Sequence, residues 1–377
     1  MSQSHKLKEV ASVFFKLGCF AFGGPAAHIA MMEDAVVTKR QWMSRQHFLD
    51  LVGATNLIPG PNSTEMTMHC GHERAGVPGL IVAGLCFIFP AVLITGILAY
   101  FYVEYGTLPE VQPFILGIQP AVLAIIASAI LKLGKKAIKN WELAILGVAV
   151  LTASLLGINE VIALLLGGFF GLIYFILKQK LKSDKLRSVA PFLFLFFAEE
   201  TITKLAALKI FWTFLKVGSI LYGSGYVLFA YLDAELVTTG LLTRPELMDA
   251  IGIGQFTPGP VLSTATFIGY QLGGFWGALA ATFGIFLPSF LFVWMLNPLV
   301  PRMRKSKWFG YFLDSVNVAA VAVMLSVLFV MSTETLTKWQ SVVIAIISGI
   351  LVFGFKKVSV IWVIVIGAAL GYLLHLI

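Results

Sequence analysis

Charge is what this chain has least of. Asp, Glu, Lys and Arg make up 12% of its 377 residues, while 58% are apolar. Soluble domains carry roughly 25% charge. No polar stretch is long enough to fold as a separate soluble domain, and the mean hydropathy is +0.90. The chain is therefore expected in a lipid bilayer. The scarcer sign is negative, with 19 acidic against 27 basic residues. That excess does not point to nucleic acid. Most Lys and Arg fall in short loops between apolar runs, where anionic head groups and the positive-inside rule account for them. Only three cysteines occur, Cys19, Cys70 and Cys86, all in or beside apolar segments. They lack metal-ligand spacing and read as small packing residues, so no metal and no cofactor is expected. The first apolar run follows Lys6 and Lys8 and has the look of a signal peptide. Its near-copy in mid-chain, where nothing could be cleaved, marks it as a structural helix.

What is present is a pair of helix-breaking stretches inside apolar sequence. The first is Asn56-Leu57-Ile58-Pro59-Gly60-Pro61-Asn62-Ser63-Thr64, the second Gln255-Phe256-Thr257-Pro258-Gly259-Pro260-Val261-Leu262-Ser263-Thr264. Broken backbone at membrane depth survives only inside protein or against a water-filled cavity. Two copies in corresponding places point to the substrate site of a secondary transporter. They belong to a repeat that covers almost the whole chain. Phe14, Lys16, Gly18 and Gly23 return as Phe214, Lys216, Gly218 and Gly223. Glu33 meets Asp233, Arg45 meets Arg244, and Asp50 meets Asp249. Gly79 pairs with Gly277, Pro90 with Pro288, and Trp141 with Trp339, the offset drifting only from 200 to 198.

Each half offers six apolar segments, roughly 10–32, 47–70, 78–102, 113–132, 141–157 and 160–177, then 210–232, 246–270, 275–297, 309–333, 339–355 and 358–377. Lys132, Lys135, Lys136 and Lys139 place their loop in the cytoplasm, as do Lys178, Lys180, Lys182, Lys185 and Arg187. Glu104 and Glu110 mark the 103–112 loop as outside. In the second half the signs invert, with Arg302, Arg304, Lys305 and Lys307 inside, and Lys356-Lys357 repeating the inversion. Antiparallel halves in one chain need an odd number of crossings each, so one segment per half must enter and leave on the same side. Phe192–Phe197 is too short to add a crossing. The Pro-Gly-Pro segments are the natural re-entrant hairpins. This predicts an all-α polytopic membrane protein of two inverted repeats, 1–187 and 188–377. It has about ten transmembrane helices plus two re-entrant hairpins, with the N-terminus outside.

Pro61 and Pro260 would each open the second arm of a hairpin. Asn62, Ser63 and Thr64, or Ser263 and Thr264, then lie in its first turn, where free N–H groups and the positive dipole end gather. Two such starts converging across the pseudo-twofold axis, flanked by Asn56 and Gln255, make an oxyanion site. Each start supplies about +0.5 charge, so a tetrahedral dianion would keep about one negative charge. Lys16 and Lys216 are candidates for the remainder, since ionisable groups at such depth are functional by default; the plain alternative is that they snorkel. Gly23 and Gly24, with Gly223 opposite, would let backbone approach the ligand, or pack helices closely. Glu65 and His28, unmatched in the second half, are candidates to carry a coupling proton; Glu65 is also a residue a helix start favours.

On Phe20-Ala21-Phe22-Gly23-Gly24-Pro25-Ala26-Ala27-His28, Pro59-Gly60-Pro61 and Phe89-Pro90, with Pro258-Gly259-Pro260 and Leu287-Pro288 behind them, the chain resembles the chromate transporter (CHR) family in its long two-halved form. The resemblance implies a multi-pass carrier of the inner (plasma) membrane that exports chromate and confers resistance. Sulfate is the related oxyanion, and the membrane potential or a proton gradient the drive. Gly223-Ser224-Gly225 lacks the proline and Leu228 replaces His28, so the first-helix motif is not symmetric. Two other readings use the same site. An oxyanion channel would hold it continuously open. A membrane enzyme on lipid phosphates would need Ser63 with Glu65, or His69, as its reactive pair. The partners expected are the oxyanion and the bilayer, with a homodimer as one assembly the sequence allows.

Overall fold

The computed structural model describes residues 2–22, 24–55, 58–180, 207–222, 225, 227–296, 307–355 and 358–376. Among them the first half forms α1 (Gln3–Phe20), α2 (Gly24–Met32), α3 (Arg45–Thr55), α4 (Asn62–Tyr105), α5 (Gln112–Ala137), α6 (Trp141–Leu155) and α7 (Glu160–Lys180). The second half forms α8 (Ala207–Ile220), α9 (Leu228–Leu232), α10 (Arg244–Phe256), α11 (Thr264–Leu296), α12 (Lys307–Thr335), α13 (Trp339–Gly354) and α14 (Val360–His375). α2 and α9 run on as π-helical stretches, Glu33–Thr38 and Asp233–Val237. Among the described residues five helices are long and apolar enough to cross a bilayer, and three shorter ones are apolar. The protein is an all-α polytopic membrane protein built from two repeats.

Glycine decides where α4 turns. At Ala75–Gly76 the backbone leaves helical geometry, with Gly76 at φ 66°, and the second arm folds back on the first. Gly71 and Gly79 then face each other so closely that a Cβ on Gly71 would lie 2.5 Å from the Ala83 Cβ. The second half repeats the device at Gly273–Gly274, and Thr266 and Thr282 hydrogen-bond across that hairpin at 2.8 Å.

The Pro-Gly-Pro segments are hairpin tips, α3 leading in and the first arm of α4 leading back. The first segment of each half departs from the expected count. α1 ends at Phe20, and α2 returns to the face that α1 came from. The proof is Glu9, near the start of α1. It accepts from Arg74 at 2.6 Å and 3.1 Å and from the Trp42 indole at 3.1 Å, while Gln3 donates to the Ala75 carbonyl at 2.9 Å. The N-terminus therefore shares a face with Lys39, Arg40 and Arg45. This corrects the expected outside placement and removes its conflict with Lys6 and Lys8. The sequence reading took 10–32 as one pass because the break at Ala21 interrupts its hydropathy without ending it.

The second arm of α4 and the first arm of α11 run side by side in the same direction. Thr95 donates to Ser263 at 3.2 Å, and the Tyr102 ring packs on Phe267 at 5.1 Å. The reversal at Gly273–Gly274 is thus level with the far end of α4, opposite the reversal at Ala75–Gly76. The halves are inverted. One face carries Lys6, Lys8, Lys39, Arg40, Arg45, Arg74, Lys135 and Lys136 beside Glu9, Glu33 and Asp34, and the other carries Glu104, Glu110, Glu235, Glu246 and Glu334 beside Arg244. α7 ends on the basic face and α8 begins on the acidic one. The boundary placed at 187/188, the run Phe192–Phe197, the basic loop at Arg302–Lys305 and Lys356-Lys357 lie outside the described residues.

Candidate functional site

Each tip donates one backbone hydrogen bond to the other half. Gly60 N–H donates to the Leu221 carbonyl at 2.6 Å, and Gly259 N–H donates to the Ala21 carbonyl at 2.9 Å. Ala21 and Leu221 are repeat partners and end the first helix of each half, so each tip plugs the helix break of the other half. Only glycine suits these positions: Gly60 has φ 138° and Gly259 φ 84°, where an L side chain is strained. Pro59, Pro61, Pro258 and Pro260 are buried beside them. Pro61 precedes the first turn of α4, and Pro260 precedes the turn Val261–Ser263 that leads into α11.

Around this shared frame the side chains differ. At the first tip Ser63, Thr64 and Glu65 are buried. Neither Glu65 carboxyl oxygen has a hydrogen-bond partner among the described residues, nor does the Thr64 hydroxyl. The Glu65 carboxyl touches Gly60, and a Cβ there would lie 2.6 Å from Ser289 Oγ. At the second tip Thr264 takes the place of Glu65, and its hydroxyl is spent on the Val261 carbonyl at 2.8 Å. Ala91 takes the place of Ser289, 2.9 Å from a Cβ on Gly259.

A small cavity opens beside the second tip. His28 and Ala21 line it from the first half, Gln255, Thr257 and Gly259 from the second tip, and Ser359 and Val360 from the start of α14. His28 is buried, 2% exposed, and its Nε2 donates to the Ala21 carbonyl at 3.1 Å. His28 Nδ1 and Gln255 Nε2 have no partner among the described residues.

The structure thus gathers Pro59, Gly60, Pro61, Ser63, Thr64 and Glu65 at one tip. At the other it gathers Gln255, Pro258, Gly259, Pro260, Ser263, Thr264 and His28. Asn62 opens α4, half-buried, and Gly24 opens α2. Asn56, Gly23 and Gly223 lie outside the described residues. The lysines are not brought to the tips. Lys16 is exposed on the outer side of α1, and Lys216 pairs with Glu235 at 2.6 Å, its side chain 44% exposed.

Three features were not read from the sequence. Ser289 follows Pro288 directly, and comparing it with Ala91 across the repeat exposes the polar difference. Asp249 is buried and accepts from Tyr102 at 2.7 Å and Gln119 at 3.0 Å, tying the halves together. The start of α14 gave no sequence signal, because Ser359 is an ordinary helix-start residue.

The family model described as "Chromate transporter" matches twice, over residues 8–172 and 208–372. A probable chromate transport protein of Synechococcus elongatus is 29% identical over 351 residues, covering 92% of this chain and 89% of the relative. A chromate transport protein of Cupriavidus metallidurans is 28% identical over 379 residues, 97% and 92% of the two chains. An uncharacterized transporter of Methanocaldococcus jannaschii is 30% identical over 377 residues, 96% and 92%. No solved structure matches.

Proposed function

The chain belongs to the chromate transporter family, transporters rather than enzymes, and on that premise we propose that it is a secondary transporter exporting chromate across the plasma membrane. The observation that carries the reading is the reciprocal plugging of two inverted hairpins, Gly60 to Leu221 and Gly259 to Ala21. Each hairpin reaches the middle from a different face. Withdrawing one tip opens the centre to one side while the other stays plugged, which is the geometry alternating access needs. Uncapped helix starts at the tips favour an oxyanion. A continuously open anion channel fits the plugged state less well.

Glu65 is the proposed coupling group. As a neutral acid it sits against Gly60 without the several kcal/mol that an unpaired buried charge costs; as a carboxylate it repels an arriving oxyanion. Proton release and anion binding then oppose each other. The test is labelled chromate flux in proteoliposomes of the purified protein, with pH and voltage gradients imposed and sulfate as competitor. Gradient-driven accumulation is expected in wild type. Glu65→Gln should abolish accumulation while chromate exchange at equilibrium continues. Accumulation that survives in this variant would remove Glu65 from coupling, and flux that only equilibrates in wild type would establish the channel.

A further inference from the structure

The repeats differ most in what they press against. α5, α6 and α7 pack with α12, α13 and α14 as one body. Gly117 of α5 meets Gly367 and Gly371 of α14, and Gly168 and Gly171 of α7 meet Val316 and Ser315 of α12. α1–α4 and α8–α11 form a second body, joined by α4 against α11. The extended packing between the two bodies comes from second-half elements. α10 lies on α5 and α14, and α9 lies on α12 and α7. Their repeat partners α3 and α2 have no comparable packing on any of those six helices among the described residues.

Side chains show the same contrast. Met248 of α10 is 1% exposed, while Leu49, its partner on α3, is 49% exposed. A Cβ on Gly252 would lie 2.4 Å from Ile118 and 3.1 Å from Val122 of α5. Asp249 accepts from Gln119 of α5 at 3.0 Å. The matching face of α3 carries Gln46, Leu49, Asp50 and Gly53, none of them buried. A face with a carboxylate and an amide does not turn to lipid, so it lines water.

We propose that this is the state in which the cytoplasmic gate, α3, is released. The opposite state docks α3 on α12 through an Asp50–Asn317 hydrogen bond, while α10 leaves α5. This rests on the transport function above and names its moving parts. The pair follows from the repeat, in which Asp50 matches Asp249, Asn317 matches Gln119 and Ala320 matches Val122. Asn, like Gln, has amide hydrogens to give a carboxylate. The two residues lie in the same half of the membrane. α3 starts on the basic face, as does α12, whose Asp314 meets Lys139 at the end of α5 at 2.6 Å. Tyr222 of the second half covers α12 there, its ring 6.0 Å from Phe312, and this is the contact that α3 displaces. Gly60 keeps its bond to Leu221, so α3 is free along its length before its tip withdraws. Two arrangements of inverted repeats around one site are what alternating access requires.

Charge decides which state rests. Arg244 joins Asp233 at 3.0 Å and Glu334 of α12 at 2.5 Å, latching α10 to the other body. Arg45 keeps the equivalent bond to Glu33 at 2.8 Å, but Lys136 stands where Glu334 does. Docking α3 brings like charges together, so its release is favoured at rest. An exporter waiting in this state has its free gate on the side where substrate is collected.

The test is disulfide trapping of the full chain in membranes, with Cys19, Cys70 and Cys86 replaced by Ala. Gly252→Cys with Val122→Cys reports the docked outer gate, and Gly53→Cys with Ala320→Cys reports the inner one. A disulfide needs Cβ atoms about 3.5–4.5 Å apart. The outer pair should oxidise at least tenfold faster than the inner pair. Glu334→Gln frees the outer latch and Lys136→Glu gives Arg45 a partner, so each should speed inner trapping at least threefold. Asn317→Ala should cancel that gain, and Asn317→Gln should keep it. Inner trapping as fast as outer, or unmoved by both charge variants, would overturn the gate. A gain that survives Asn317→Ala would overturn the Asp50–Asn317 pair. If the double-cysteine chains do not assemble, labelling by a membrane-impermeant thiol reagent decides. Leu49→Cys should react from the cytoplasmic side severalfold faster than Met248→Cys reacts from the outside, and equal rates overturn the proposal. None of these measurements uses chromate. Absence of chromate flux in wild type is the separate result that overturns the function itself.

Discussion

The first and second tips share a backbone and differ in what surrounds it. At the first tip the elements supplied by both halves are acidic or hydroxylic, Glu65 against Ser289. At the second the same positions hold Thr264 and Ala91, and the polar groups have moved outward to His28, Gln255 and the start of α14. An inverted repeat thus keeps its moving parts alike while its chemistry diverges. The plugs must be equivalent for the two open states to balance; the ligand and the proton need to be bound only once each. The difference separates residues that serve motion from residues that serve recognition.

Breaking what the tips share should have the largest effect. Gly60→Ala places a Cβ against Glu65 and Ser289 at φ 138°, and Gly259→Ala places one 2.9 Å from Ala91 at φ 84°. Strain of about 1–3 kcal/mol at each plug should cut chromate uptake at least tenfold in both variants, with membrane insertion intact. Equal loss supports equivalent plugs. Loss in one variant alone would mean that a single tip gates the molecule.

A repeat pair far from the tips sharpens the comparison. Asp50 lies near the surface, bonded by Gln46 at 3.4 Å, whereas Asp249 is buried and receives Tyr102 and Gln119 from the other half. Asp249→Ala strands both donors and should lower stability by about 2 kcal/mol. Asp50→Ala should stay within about 0.5 kcal/mol. Thermal unfolding of the detergent-solubilised protein measures both, and similar losses would show that the inter-half bonds carry no special weight.

These contrasts explain what the sequence could disclose. The repeat, the inverted charge and the Pro-Gly-Pro breaks are one-dimensional signals, each tied to a residue that lipid forces into a role. They revealed the class, the inversion and the tips. The return of α2 was hidden because Ala21–Gly24 interrupts a segment whose apolar length matches a full crossing. The cavity was hidden because it joins residues 28, 255 and 359, contacts that no local pattern encodes. Ser289 stood in view beside Pro288 and needed only comparison with Ala91.

The smallest effect is expected from the two lysines, whose depth and duplication suggested a counter-charge for a dianion. Lys216 is already compensated by Glu235 at 2.6 Å, and the repeat places Ala35 where Glu235 stands, leaving Lys16 exposed on the outer side of α1. Neither head group is at a tip. Exposed pairs contribute about 0–1 kcal/mol, so Lys216→Met should cost little stability and Lys16→Met less. The double variant should keep its chromate KM within about twofold, because neither head group lies at a tip. A severalfold rise in KM would therefore count against this placement of the two side chains.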